Sequence, residues 1–480
     1  RFFITRPAAA GVHPYTLFGV IQMIITFSAF LLGCLFAAFI IPILITLPVK
    51  HSKRVLLFRR IIRAIVFLPV KLSPTVRIFA ENKYAEEFSK PAVIVANHQS
   101  FIDILMLLSL HPKIIMMTNR WVWNSPIFGH IVRFAGFVYH KDGLDNHLET
   151  LRPMVSEGYS VLIFPEGTRS ADMEIHRFHK GAFKIAQELS LDIVPVVIYG
   201  NGNLVSKRQP FYVKRGVIGY RILKRVKHDD LSLGCDYRER AKNIAGLFRR
   251  EYASLRSEYD NPSNLFFFQK IMSGYIYKGP VTEWYIRIKM KMERYYELYH
   301  RIIPYDARIT DIGCGYGPLC FMLGLLSAKR VVTGIDYDKD KIDVAKSSWL
   351  SGGNINFMHA DAMSVELPDS DVFVMNDVLH YLMPEEQELL LKRVLLKVKS
   401  GGFLILRDGD SEKVRYHKVT KMTEWFSIKA LGFNKALHPP CFTSGSKIRE
   451  IADRMGCIAE EMRNDKLTSN TIYIIKPKTD

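Results

Sequence analysis

Three stretches of this 480-residue chain concentrate residue types that can do chemistry. In Asn97-His-Gln-Ser-Phe-Ile-Asp103 a histidine and an aspartate stand five positions apart. An imidazole whose second ring nitrogen is held by a carboxylate is a general base. On one continuous helix His98 and Asp103 would diverge; across a strand-to-helix turn they can meet. The same residues also read as a helix start, because Ser100-x-x-Asp103 fits a capping box. In Pro165-Glu-Gly-Thr-Arg-Ser170 a carboxylate, a glycine, a hydroxyl and a guanidinium share one turn, a composition suited to binding hydroxyl and phosphate groups. In Asp311-Ile-Gly313-Cys-Gly315-Tyr-Gly317 glycines let the backbone approach a ligand. A nicotinamide-type G-x-G-x-x-G would need glycine at 318, where Pro318 stands. Asp336, 19 residues after Gly317, offers a carboxylate for two ribose hydroxyls.

The elements that must hold these groups are readable as buried strands running into turns. Pro91–Asn97, Tyr159–Phe164 and Asp192–Gly200 are rich in β-branched residues. An apolar helical run, Ile104–Leu110, follows the first, and Arg177–Phe183 opens a helix before the third. Downstream, Arg308 begins a strand entering the glycine turn, and a second ends at Gly334-Ile-Asp336. A third precedes Asp361 and Ala362, a fourth ends at Asn376-Asp377 with His380 beyond, and Gly401–Leu406 makes a fifth. Asp260–Asn264 is a turn cluster and a domain boundary. After it, residues 265–305 hold eleven aromatics with interleaved Lys and Arg, fit for packing or for a lipid-facing helix.

Residues 7–49 contain no Lys, Arg, Asp or Glu, and Leu17–Leu47 is almost continuously apolar. About 20 apolar residues suffice to cross a bilayer as a helix. A tilted helix and a re-entrant hairpin broken at Pro42 both satisfy the segment. Lys50, Lys53, Arg54, Arg59, Arg60 and Arg63 follow, so the positive-inside rule puts the downstream chain in the cytoplasm. A wholly soluble protein is thereby excluded. Basic residues exceed acidic ones by 66 − 47 = 19, and residues 1–260 carry 35 − 20 = 15 of that excess. An anionic leaflet or a phosphorylated substrate is the expected partner of this half, particularly of the acid-free run 207–227. No nucleic-acid motif accompanies the charge. The six cysteines form no CxxC pair, which argues against a disulfide scaffold or a zinc ribbon and for a reducing compartment. No metal is expected.

NHQSFID, FPEGTRS and IVPVVIYG, ordered over residues 97–200, resemble the motifs of the glycerolipid acyltransferase family, lysophosphatidate acyltransferase type. The resemblance implies that His98 deprotonates an acceptor hydroxyl, which attacks the thioester of acyl-CoA or an acyl carrier protein. Asp103 would orient His98. Glu166, Gly167, Thr168 and Arg169 would bind the acceptor, with Arg169 on its phosphate, and Pro195 would shape the acyl pocket. The second motif departs from the family's Asp-Arg: the stretch reads Gly136-Phe-Val-Tyr-His-Lys141. Lys141 supplies a point charge without the arginine fork, so a non-phospholipid hydroxyl, such as a lipid-linked pigment, is the alternative acceptor.

Residues 300–480 resemble the class I S-adenosylmethionine-dependent methyltransferases, whose doubly wound sheet ends in an antiparallel hairpin; Asn470–Lys476 looks like its last strand. By that resemblance Asp311, Gly313, Gly315 and Gly317 line the amino-acid end of S-adenosyl-L-methionine, Asp336 binds ribose, and Asp361 with Ala362 binds adenine. Asn376, Asp377 and His380 would face the methyl acceptor, with Asp377 or His380 available as a base. The expected organisation is a membrane anchor over 1–69, an α/β acyltransferase domain over 70–260, aromatic cap helices over 261–304 and a Rossmann-like methyltransferase over 305–480. The whole is expected to modify one membrane lipid twice at the cytoplasmic membrane. Such fusions are similar to the tail of larger proteins that begin with a lipid-transporter domain, and a start at Arg1 rather than Met agrees with that. A transporter-associated binding module with degenerate sites is the reading from a different class.

Overall fold

The computed structural model describes residues 17–118, 120–139, 144–207, 213–293, 295–412, 439–464 and 470–478. The chain divides into two compact units, Arg1–Asp260 with Asn264–Phe266, and Asn261–Ser263 with Phe267–Asp480.

The first unit opens with one unbroken helix, Leu17–Thr46, which contains Pro42. No hairpin interrupts it among the described residues, which corrects the re-entrant alternative. From Gly19 to Thr46 it is long and apolar enough to cross a membrane, with a mean hydropathy of 2.6. Thirty residues at 1.5 Å each make it about 45 Å long. It lies against the unit at several points along that length. Gln22 donates to Ser73 Oγ and Thr75 Oγ1, each at 2.7 Å, Phe30 meets Phe101 edge-on at 5.6 Å, and Ala37 and Leu44 are buried in a cluster with Phe58. The next helix, His51–Ile65, is amphipathic and turns Val55, Phe58 and Arg59 inward.

Seven strands form the sheet of this unit: β1 (Val76–Asn82), β2 (Ala92–Ala96), β3 (Ile114–Thr118), β4 (Val138–Tyr139), β5 (Ser160–Ile163), β6 (Asp192–Tyr199) and β7 (Gly216–Ile222). Their order is β1-β7-β6-β2-β5-β3-β4. Every neighbouring pair is parallel except β6 and β7. β2 is buried at every position because side chains alternate into two cores. Val93 and Val95 join Ile193 and Val197 on one face; Ala92, Ile94 and Ala96 join Val194, Val196 and Ile198 on the other.

The second unit holds β8 (Arg308–Ile312), β9 (Val331–Asp336), β10 (Ile355–His359), β11 (Ser370–Asn376), β12 (Val398–Gly409), β13 (Cys457–Asn464) and β14 (Asn470–Pro477). Their order is β10-β9-β8-β11-β12-β14-β13. β8 to β12 are parallel, and β14 runs antiparallel between β12 and β13. This is an α/β doubly wound sheet whose strand order reverses between β8 and β11, and ligands of such sheets bind outside the carboxyl ends of the strands at that point.

Candidate active sites

In the first unit β2 lies between β5 and β6 and runs parallel to both, so the loops leaving these three strands meet at one edge. The first loop brings His98 back onto Asp103, with Nδ1 and Oδ2 2.8 Å apart. Asp103 is completely buried. Its Oδ2 also accepts the backbone amides of Gln99 at 2.6 Å and Ser100 at 2.8 Å. The aspartate half of the capping box therefore forms, while the Ser100 hydroxyl donates to the carbonyl of Val205 at 2.7 Å. Because an ionised carboxylate only accepts, the proton of the neutral imidazole sits on Nδ1 and Nε2 is left basic. The ring stacks on Phe164 at 4.1 Å.

The turn after β5 contributes differently from expectation. Glu166 is buried, and its oxygens accept the backbone amides of His98 at 3.0 Å and His176 at 3.3 Å. Burial raises its pKa against these bonds. It ties the two loops together. Gly167 and Thr168 are exposed and Arg169 is half-buried. Lys207, the first residue of the acid-free basic run, donates to Thr168 Oγ1 at 3.1 Å and to the Arg169 carbonyl at 3.0 Å. A cation thus stands on this turn that motif spacing alone does not assign. Lys141 lies outside the described residues.

Pro195 belongs to a strand. It sits inside β6 opposite Val95, and by the two-residue repeat it shares the face of Ile193 and Val197. An apolar cavity lies on the other side of the sheet, lined by Phe30, Ala37, Phe101, Leu105, Leu108 and Met116 among others. Phe101 and Leu105 belong to the segment that starts at His98, so the cavity adjoins the histidine loop. Two further residues escape motif reading: Asn201, which donates to Asp103 Oδ1 at 2.7 Å, and Gln99, which donates to Tyr252 at 2.7 Å. The only sequence signal for the first is a Gly-Asn step at the end of a strand.

In the second unit the glycine turn leaves β8 beside the end of β9. Gly317 has φ of +77°, and a Cβ there would lie 2.3 Å from the Phe357 ring. Asp336 Oδ2 accepts the Gly315 amide at 2.7 Å and Oδ1 the Asp338 amide at 2.8 Å. Each oxygen keeps a second lone pair, and the space beside Gly315 is open except for Lys341 Cδ at 3.9 Å. These residues fit a nucleoside held by its ribose. Asp311 is buried, and Oδ2 accepts the Cys320 thiol at 3.2 Å. Burial pushes its carboxyl up to about 7, against the pull of that thiol and of Lys289. Asp361 is exposed beyond β10, where it accepts the Met363 amide at 2.9 Å, and Ala362 is half-buried next to it.

The acceptor-side residues are less open than the sequence suggests. Asn376 Oδ1 accepts the Tyr299 hydroxyl at 2.5 Å. Asp377, at φ +55°, pairs with Arg407, and although burial works against the Arg407 charge, Asp377 together with Tyr295, Tyr299 and Glu293 more than offsets it. His380 is buried, with Nδ1 2.7 Å from Asp408 Oδ1 and its ring stacked on Phe442 at 4.9 Å. Among the described residues no group of three or more His, Cys, Asp or Glu could hold a metal ion.

Residues 76–199 match the acyltransferase family and residues 309–402 the methyltransferase domain family. A chloroplastic 1-acyl-sn-glycerol-3-phosphate acyltransferase of Brassica napus is 31% identical over 42% of this chain and 62% of its own length. The 1-acyl-sn-glycerol-3-phosphate acyltransferase of Saccharomyces cerevisiae is 30% identical over 42% of this chain and 67% of its own. The chain spans 40% of a Chlamydomonas reinhardtii relative of the same description and 33% of one from Arabidopsis thaliana. Among solved structures, the lysophosphatidate acyltransferase of Thermotoga maritima is 19% identical, with TM-score 0.45, over 50% of this chain and 97% of its own. Human N-acetylserotonin methyltransferase is 16% identical, with TM-score 0.34, over 43% and 58%.

Proposed function

This chain belongs to the 1-acyl-sn-glycerol-3-phosphate acyltransferase family, carries a class I methyltransferase domain in the same polypeptide, and from that premise we propose a membrane-associated lipid-modifying enzyme with two transferase sites. At the first, His98 Nε2 takes the proton of a lysophospholipid-like hydroxyl as the oxygen attacks the carbonyl of an acyl thioester. The C–O bond forms, the C–S bond breaks, and the imidazolium returns its proton to the departing thiolate of coenzyme A or the carrier protein. Asp103 keeps the other proton on Nδ1 and balances the imidazolium charge. Arg169 and Lys207 are the cations suited to an acceptor phosphate, and the apolar cavity next to Phe101 suits the acyl chain. The observation that carries this reading is the 2.8 Å bond between His98 and the fully buried Asp103.

His98→Ala should lower acyl transfer by about 10²–10⁴-fold, as loss of a general base does, while methyl transfer by the same protein persists. Near-normal acyl turnover in that variant would end the mechanism. The acceptor is set by a parallel assay of lysophosphatidate against a neutral lipid alcohol. Preference for the neutral one favours the non-phospholipid alternative, to which Lys141 in place of arginine points.

At the second site S-adenosylmethionine, when bound, supplies a methyl group on a cationic sulfur. Asp336 and the Gly313–Gly317 turn hold its nucleoside and amino-acid ends, and positioning does most of the work. His380, oriented by Asp408, is the residue suited to take a proton from a hydroxyl acceptor. The apolar helix Leu17–Thr46 and the basic residues after it support attachment to the cytoplasmic membrane with both sites in the cytoplasm.

A further inference from the structure

We propose that Asn201 is a positioning residue for acyl transfer, the third member of a His98–Asp103–Asn201 relay; this rests on the acyl-transfer reading of His98. Asn201 is fully buried at the start of the short helix Asn201–Leu204 that follows β6. Its Nδ2 lies 2.7 Å from Asp103 Oδ1. The other carboxylate oxygen takes His98 Nδ1 and two backbone amides, so the asparagine holds the far side and fixes the plane of the carboxylate. A carboxylate only accepts, which dictates that the amide presents its NH2.

The turn that carries Asn201 is built to put it there. Gly200 has φ of +80°, and a Cβ on it would lie 2.1 Å from the Val217 carbonyl oxygen, so the chain turns over β7 at van der Waals distance. The turn closes with the Val205 amide on the Asn201 carbonyl at 2.9 Å. Ser100, in the histidine loop, then donates to the Val205 carbonyl at 2.7 Å. The two loops are stitched at both ends of Asn201–Val205. Loss of the Asn201 amide frees the carboxylate to rotate and concentrates its charge toward His98, which raises the affinity of the imidazole for a proton.

The test uses the full chain with Asn201→Leu, which lacks the donor, and Asn201→Asp, which keeps the shape but opposes two carboxylates. Asn201→Leu should lower kcat by about 10–100-fold, the range for a hydrogen bond to a charged group. KM for both substrates should stay unchanged, and the acid limb of the kcat profile should move to higher pH. Asn201→Asp should lose activity progressively as pH rises, because two adjacent carboxylates are compatible only while they share a proton. If Asn201→Leu does not fold, the Asp variant decides: a wild-type pH profile there overturns the relay. Wild-type kcat and acid limb in Asn201→Leu, with His98→Ala inactive, overturn the relay alone. An active His98→Ala overturns the acyl-transfer reading with it.

Discussion

Three buried aspartates in this protein differ in the donors that surround them. Asp103 has donors on both oxygens: an imidazole, two backbone amides and a side-chain amide. Asp336 has one backbone amide on each. Among the described residues Asp311 has only a thiol as donor, a weak one, so burial dominates and its carboxyl rises to about 7. In the unfolded chain the same group titrates near the reference value of about 3.9. Between roughly pH 4 and pH 7 the folded protein therefore holds a proton that the unfolded chain has released, and stability falls as pH rises through that window. Asp311→Asn should remove this contribution. Urea midpoints from about pH 5 to 8 should decline less steeply in the variant than in the wild type, by at most about 1.4 kcal/mol per pH unit for one proton. Identical slopes would mean that Asp311 is ionised throughout.

The first site exists because β5, β2 and β6 are adjacent and parallel, and each is followed by a turn with a specific backbone demand. Gly200 is the clearest case. Gly200→Ala imposes a left-handed conformation on a residue with a Cβ and drives that carbon toward the Val217 carbonyl. It should destabilise the first unit by about 1–3 kcal/mol, the usual cost of such strain, and impair acyl transfer through Asn201. Methyl transfer assayed on the same preparation should be retained; an acyl-transfer rate equal to wild type would show that the turn can relax. The strands behind this geometry were legible, since β2, β6, β8, β9 and β11 are apolar, β-branched runs that end in or lead into Gly, Asp or Asn, β5 leads into Pro165, and that pattern is local. His98 with Asp103 and the Gly315–Asp336 pair were legible for the same reason. Glu166, Pro195 and Asp377 have surroundings that no local pattern announces, because their neighbours are remote in sequence: the His98 amide, the face of β6 that packs inward, and Arg407 on β12. Asn201 and Asp408 carry no pattern of their own. They matter only through the residue that each meets across the sheet edge.

The two compact units carry separate sets of groups, His98 with Asp103 in one and the Gly313–Gly317 turn with Asp336 in the other. On the proposed function, full-length His98→Ala should therefore lose acyl transfer alone and Asp336→Ala methyl transfer alone. Asp336→Ala should weaken S-adenosylmethionine binding at least about tenfold, since a hydrogen bond to a charged group contributes about 1.5–3 kcal/mol. On the proposed function, the reason to carry both on one chain is kinetic. A lipid that needs both modifications meets the second site at an effective concentration that a tether sets, on the order of millimolar for short flexible connections. An equimolar mixture of the two single variants provides one working copy of each site without the covalent link. At micromolar chain concentration in dilute mixed micelles, the mixture should form each singly modified product at the rate expected for its working copies. It should form the doubly modified lipid more slowly than wild type carrying the same number of working sites, and the deficit should close as concentration rises. Equal rates of double modification at every concentration would show that the covalent link gives no kinetic advantage, and no doubly modified lipid at all would show that the two sites act on different substrates.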